Sequence, residues 1–120
     1  MYVCGLVIPV PENAIDAYRS WAEKGAAFFK EYGCLEIVES WEDFVPDGKQ
    51  TDFRRSVAIE DGEKVVFSWL VWPDKATADA GHEKMMADPR MKDMDMANMP
   101  FDGKRMIHGG FEAIVSHGRR

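Results

Sequence analysis

The chain has only two cysteines and three histidines among its 120 residues, and no long apolar run. Cys4 and Cys34 make neither a disulfide framework nor a ligand-spaced pair. They read as reduced, buried thiols of a cytoplasmic protein. His82, His108 and His117 are widely spaced, with no cysteine at ligand intervals, so no metal is expected. His82-Glu83-Lys84-Met85-Met86 begins like a zinc-protease helix but lacks the second histidine. The most apolar stretch, Val65 to Trp72, falls far short of the ~20 residues that cross a bilayer. Tyr2 opens a strand with no basic segment and apolar core before it, so no secretory leader is read. Basic residues are outnumbered 15 to 21, for a net charge of −6. That balance argues against nucleic acid and anionic membranes as partners, and the pairs Arg54-Arg55 and Arg119-Arg120 are too short to reverse it. A phosphate-cradling glycine loop, a nucleophile motif and any cofactor signature are also missing. Gly109-Gly110 lies within a strand, where it marks a bulge or a close backbone approach.

What is present is the pattern of one globular domain, residues 1–116, with 117–120 as a frayed tail. Tyr2, Cys4, Leu6 and Ile8 alternate with Val3, Gly5 and Val7, so the first strand is apolar on both faces until Pro9 and Pro11 end it. A helix of about twenty residues follows, with Asn13 as its N-cap. Its apolar stripe is Ala14, Tyr18, Trp21, Gly25, Phe28 and Tyr32, and Gly33 stands at a left-handed C-cap. The second strand, 34–42, sets Leu35, Ile37 and Trp41 on one side, with Glu39 among them, and polar residues on the other. Segment 43–63 is irregular. Val57 and Ile59 fit a strand there, and Phe53 to Ser56 fit a helical turn; periodicity does not separate the two.

The third strand, 64–72, is again apolar on both faces, with Val65, Phe67, Trp69 and Val71 opposite Val66, Leu70 and Trp72. Asp74 caps a second helix that ends before Asp88-Pro89, with Ala78, His82, Met85 and Met86 on its apolar side. Met91, Met94, Met96 and Met99 suit a short helix whose thioethers fill gaps, with a methionine-lined ligand pocket as the sharper alternative. The last strand, 104–115, turns Ile107, Phe111, Ala113 and Val115 to the core. Its other side carries Lys104, Met106, His108 and Glu112 and resembles an edge.

This order is βαββαβ, an α+β chain. Strands apolar on both faces belong mid-sheet and one-sided strands at the edges, which predicts the antiparallel order 4-1-3-2 of a ferredoxin-like sandwich with both helices on one face. The helices suffice for that face only. Large apolar side chains left wet on the other sacrifice roughly 1.5–3 kcal/mol each, so a homodimer with its two sheets packed face to face is expected.

Several segments carry a specific resemblance: Met1-Tyr-Val-Cys-Gly-Leu-Val-Ile-Pro-Val-Pro11, Tyr32-Gly-Cys-Leu-Glu36, Val45-Pro-Asp-Gly48, Val66-Phe-Ser-Trp69, Met86-Ala-Asp-Pro-Arg90 and Met99-Pro-Phe-Asp-Gly-Lys-Arg-Met-Ile-His-Gly-Gly-Phe-Glu112. In order along the chain they resemble the YbaA-like family of small uncharacterised bacterial proteins. The resemblance implies a dimeric α+β barrel, an architecture shared with antibiotic-biosynthesis-type monooxygenases and stress-response barrel proteins. It implies no activity. In that family an acidic residue is usual where this chain has Cys4, which puts in doubt any role that needs a carboxylate there.

The residues best suited to chemistry are His108, whose ordinary pKa lies near neutrality, and Glu39, a carboxylate set among apolar groups. The plain reading of His108 is a hydrogen-bonded edge histidine, and that of Glu39 a partner for Arg54 or Arg105. Trp41, Trp69, Arg54 and Arg105 are candidates to line a ligand pocket, against core or dimer packing for the tryptophans. A small apolar or aromatic molecule is the expected ligand, with no dedicated cofactor. The chemistry is either a monooxygenase-like or isomerase-like proton transfer, or plain metabolite binding by a stress-related dimeric module.

Overall fold

The computed structural model describes residues 1–94 and 98–118. Met96, within the methionine run, and Arg119-Arg120 of the tail lie outside the described residues. Strand β1 (Tyr2–Pro11) pairs antiparallel with β3 (Glu63–Trp72) along its whole length, from Tyr2 opposite Trp72 to Pro11 opposite Glu63. Strand β2 (Glu36–Trp41) flanks β3 and β4 (Ile107–Glu112) flanks β1, giving the order β2-β3-β1-β4. This is the ferredoxin-like order expected from the two-faced apolar pattern of β1 and β3.

Helix α1 (Ile15–Glu31) and helix α3 (Lys75–Ala87) lie over the face that carries Leu6, Ile8, Val66, Leu70 and Trp72. Asp74 caps α3 as its sequence predicts, its carboxylate accepting from Thr77 N at 2.7 Å. Gly33, at φ +107°, ends α1 in the left-handed region while Cys34 N reaches back to Phe29 O. The expected Asn13 cap does not form. Glu12–Ala14 makes a 3₁₀ turn instead, because Glu12 N is already tied to Gly62 O at 2.8 Å and the helix begins only after Ala14. At the other end Arg90 joins the two helix termini. Its guanidinium reaches Glu31 and Asp88 at 2.6 Å and lies 5.0 Å from the centre of the Phe28 ring, while Tyr32 O–H donates to the same Asp88.

The face opposite the helices is less bare than the sequence suggests. Phe53–Ser56 forms a single helical turn, α2, capped by Asp52. Behind it Val57, 1% exposed, packs on Val7 and Val65, so segment 43–62 covers one corner of this outer face. No strand forms at Val57–Ile59. The remainder of the face leaves Phe67, Ile107 and Phe111 open, the last 61% exposed.

β4 also departs from expectation. Pairing stops at Glu112 opposite Tyr2, where β1 begins, so Ala113, Ile114 and Val115 have no strand left to join and stay exposed. Its apolar side, Ile107 and Phe111, belongs to the outer face rather than to the core beneath the helices. The side carrying His108 turns inward, because His108 stands opposite the inward Leu6. Gly109 and Gly110 keep regular register, and no bulge occurs. They make room for rings: a Cβ on Gly109 would meet Phe111 at 3.3 Å, and one on Gly110 would strike Tyr2.

On α3 the buried positions are Ala78 and Gly81, and Met86 is 71% exposed rather than apolar cover. Small residues are needed because the fully buried Trp72 ring presses against the helix; a Cβ on Gly81 would sit 2.7 Å from Trp72 Cη2. Glycine to alanine within a helix ordinarily stabilises by roughly 0.5–1 kcal/mol. Here Gly81→Ala is expected to destabilise by about 1–3 kcal/mol through overpacking. Chemical denaturation checks the sign, and a gain in stability would refute this packing account.

Candidate functional site

Between the helix layer and the sheet lies a cavity of about 1160 Å³. It exists because α1 and α3 touch the sheet mainly at its two ends. Tyr18, Ile8 and Phe101 cluster at one end, and Cys34, Trp72 and Ala78 at the other. Between them the lining is largely apolar: Leu6 and Leu70 below, Trp21 and Phe29 above, and Met91, Met94 and Met99 from the segment after α3. Met91 and Met94 belong to a short 3₁₀ helix, Pro89–Met94, as the main reading of the methionine run expects, with Met94 buried, and both reach the cavity wall beside Met99.

Three polar groups of the sheet fall on one line. Glu39 stands opposite Ser68 on β3, Ser68 opposite Leu6 on β1, and Leu6 opposite His108 on β4. This row crosses all four strands on the inward face, and all four residues line the cavity. Three strand spacings separate its ends, roughly 14 Å between backbones. Glu39 and His108 therefore address opposite ends of the cavity and do not share one reacting atom.

Glu39 is held by two hydroxyls. Tyr18 O–H donates to Oε1 at 2.6 Å and Ser68 Oγ–H donates to Oε2 at 3.1 Å. The carboxylate keeps solvent contact through the cavity, yet the surrounding walls desolvate it and push its pKa above the ordinary glutamate value. The two hydroxyl bonds oppose that rise without cancelling it. Tyr18 is raised in turn, by desolvation first and then by the carboxylate beside it, so its phenol keeps its proton. On α3, His82 Nδ1–H donates to Ala78 O at 2.8 Å, which leaves Nε2 as an acceptor at the cavity wall. The Cys4 thiol, also in the wall, is raised mainly by burial.

The other sequence candidates lie elsewhere. Arg54 forms a bidentate pair with Glu42 at 2.7 Å, and Arg105 holds Glu63 at 2.7 Å and Asp102 at 2.9 Å. Both arginines close loops below the sheet, and neither reaches Glu39. Trp69 is on the outer face, its Nε1–H bonded to Glu36 at 3.2 Å. Trp41 lines a smaller adjoining recess of about 390 Å³ that also touches Glu39. The residues missed from sequence are Tyr18 and Ser68. Ser68 carries a visible signal, a lone hydroxyl at an inward position of a strand otherwise apolar. Tyr18 hides in the stripe of α1. Among the described residues no three histidine, cysteine or acidic side chains converge as a metal site, and no helix is long and apolar enough to cross a membrane.

Fold and cavity together define a ferredoxin-like α+β protein with a ligand-sized space on its helix side. Solved structures with this fold include a dimeric ferredoxin-like protein from an uncultured marine organism, with TM-score 0.63 and 10% identity over 99% of this chain and all of that one. A NIPSNAP domain protein from Burkholderia xenovorans matches with TM-score 0.59 and 12% identity over the same shares. In sequence, the Uncharacterized protein YbaA of Escherichia coli K12 is 57% identical over 114 residues, 95% of this chain and 97% of that protein, and the Shigella flexneri protein of the same name matches equally. Residues 1–103 match the family described as Protein of unknown function (DUF1428), and the chain belongs to that family.

Because the native state holds the Glu39 proton more tightly than the unfolded chain does, its stabilising contribution is complete below the ordinary glutamate pKa. It is lost as pH rises through the raised native value. The stability of the wild type relative to Glu39→Gln is therefore expected to fall as pH rises above the ordinary glutamate range. Paired urea titrations across that rise check it, and a difference that stays flat or grows would show that Glu39 is not desolvated.

Proposed function

We propose that this chain works as a homodimer whose helix-side cavity takes up a small apolar or aromatic molecule. The observation that carries the reading is the cavity itself. Its volume exceeds the roughly 300–1,000 Å³ usual for small-ligand sites, and its wall is mostly apolar with a few polar groups set apart at its ends. An apolar molecule seated there would bury that wall away from water.

The outer face supports the dimer. Phe53, Phe67, Ile107 and Phe111 are each more than two-fifths exposed, and together they form an apolar surface larger than scattered single residues would make. One solved neighbour of the same fold is described as dimeric. A cytoplasmic location accords with two free thiols.

A monooxygenase-like or isomerase-like reaction is the second reading, favoured by the raised pKa of Glu39 in the cavity wall. The span of the polar row means that Glu39 or His108 acts alone on a given atom, at its own end of the ligand. The alternative is a metabolite-binding module without chemistry.

Three measurements test these readings. Indole and 2-naphthol are expected to raise the melting temperature by several degrees at saturation, as binding to the native state alone requires. No shift with any apolar aromatic compound would remove the uptake reading. Sedimentation velocity at micromolar concentration is expected to give a dimer for the wild type and a folded monomer for Phe67→Glu combined with Phe111→Asp. A wild-type monomer would overturn the dimer. Turnover that survives in both Glu39→Gln and His108→Ala would exclude these two groups as proton carriers.

A further inference from the structure

Glu39 differs from the enclosed carboxylates of this chain: it stays exposed, at the open side of the cavity. Glu42, Glu63, Asp52 and Asp88 have side chains 9%, 9%, 5% and 6% exposed, and each is paired with an arginine: Arg54, Arg105, Arg55 and Arg90. Glu39 has no such partner among the described residues, and its two hydrogen-bond donors are neutral hydroxyls. A carboxylate offers about four lone-pair sites, so acceptor capacity remains after those two bonds. It faces the cavity.

The charged groups around it do not supply the missing cation. From α1, Arg19 and Glu23 line the adjoining recess, and Arg19 is paired with Asp16 at 3.0 Å. From α3, Asp79 is paired with Lys75, and His82 is fixed on Ala78 O. Lys104 and His108 belong to the far side of the cavity, near β4. Beside the carboxylate the wall is aromatic instead. Tyr18, its hydrogen-bond donor, has its ring centre 5.8 Å from that of Phe101 and 6.1 Å from that of Trp21, and Trp21 and Phe101 meet edge to face at 5.0 Å. A cation next to a carboxylate and against aromatic rings gains from both. A neutral ligand seated over the exposed carboxylate would strip its water without replacing it by a charge partner, and an anionic one would be repelled.

We propose that the molecule taken up carries a protonated amine, seated against the Glu39 carboxylate beside the Tyr18–Trp21–Phe101 rings, with its apolar body along the row toward Leu6. The inference rests on the uptake reading above and names its ligand class. No bond is made or broken.

Three probes of matched shape test it by calorimetry and tryptophan fluorescence: 2-phenylethylamine, 2-phenylethanol and 3-phenylpropanoate. The amine is expected to bind the wild type at least about tenfold more tightly than the alcohol, as a charge-assisted pair implies, with the carboxylate weakest. In Glu39→Gln the amine and alcohol are expected to converge while alcohol affinity stays within about threefold, and Glu39→Asp is expected to retain part of the preference. Equal affinities for amine and alcohol in the wild type, with both binding, would overturn this inference and leave uptake intact. So would an amine preference unchanged in a folded Glu39→Gln. Failure of all three probes to bind the wild type would overturn the uptake reading itself. Should Glu39→Gln not fold, the wild-type comparison of amine with alcohol still decides.

Discussion

β1 and β3 pair over their full length, and each carries large apolar side chains on both faces. A central pair of this kind cannot be satisfied from one side, so every other element is placed by the need to cover it. α1 and α3 take the inner face and α2 with Val57 takes a corner of the outer face. β2 and β4 complete the ladder at the flanks, where one-sided polarity is tolerated. Ser68 is the exception within the pair, 1% exposed and inward, and its hydroxyl is satisfied by Glu39 on the neighbouring strand.

The ion pairs sort by what they close. Arg54 with Glu42, and Arg105 with Glu63 and Asp102, brace the segments that enter and leave the central strands. Arg105 also donates to Ala58 O at 3.1 Å, and Ala58 holds a left-handed φ of +49°. Both arginines are thus spent on shaping loops. Neither is left for Glu39, whose hydrogen-bond donors are the hydroxyls of Tyr18 and Ser68.

Much of the fold is legible from alternation and punctuation alone. Two-faced apolar runs mark β1 and β3 as central, Gly33 marks the end of α1, and Asp74 marks the start of α3. Alternation does not say which side of an edge strand faces which layer. β4 has an apolar side and a polar side, and its register on β1 sets Ile107 opposite the outward Val7 and His108 opposite the inward Leu6, which turns His108 toward the cavity. Asn13 has the right chemistry for a cap but the wrong neighbours, since Gly62 O had already fixed Glu12. Segment 43–62 was ambiguous because its order comes from Asp52 bonding Gly48 N and Arg55 N, together with contacts to Val7 and Val65, and none of these leaves a periodic trace. Glu39 was visible as a carboxylate out of place. Its partners were not, because Tyr18 lies 21 residues away in sequence and reaches it only through the docking of α1.

The clasp at Arg90 has a mechanical consequence. One guanidinium fastens the C-terminal ends of α1 and α3 to each other, so a load on either helix end is passed to the other through that pin. Because the pin is an ionic contact half open to water, dissolved salt loosens it before it disturbs the strands beneath.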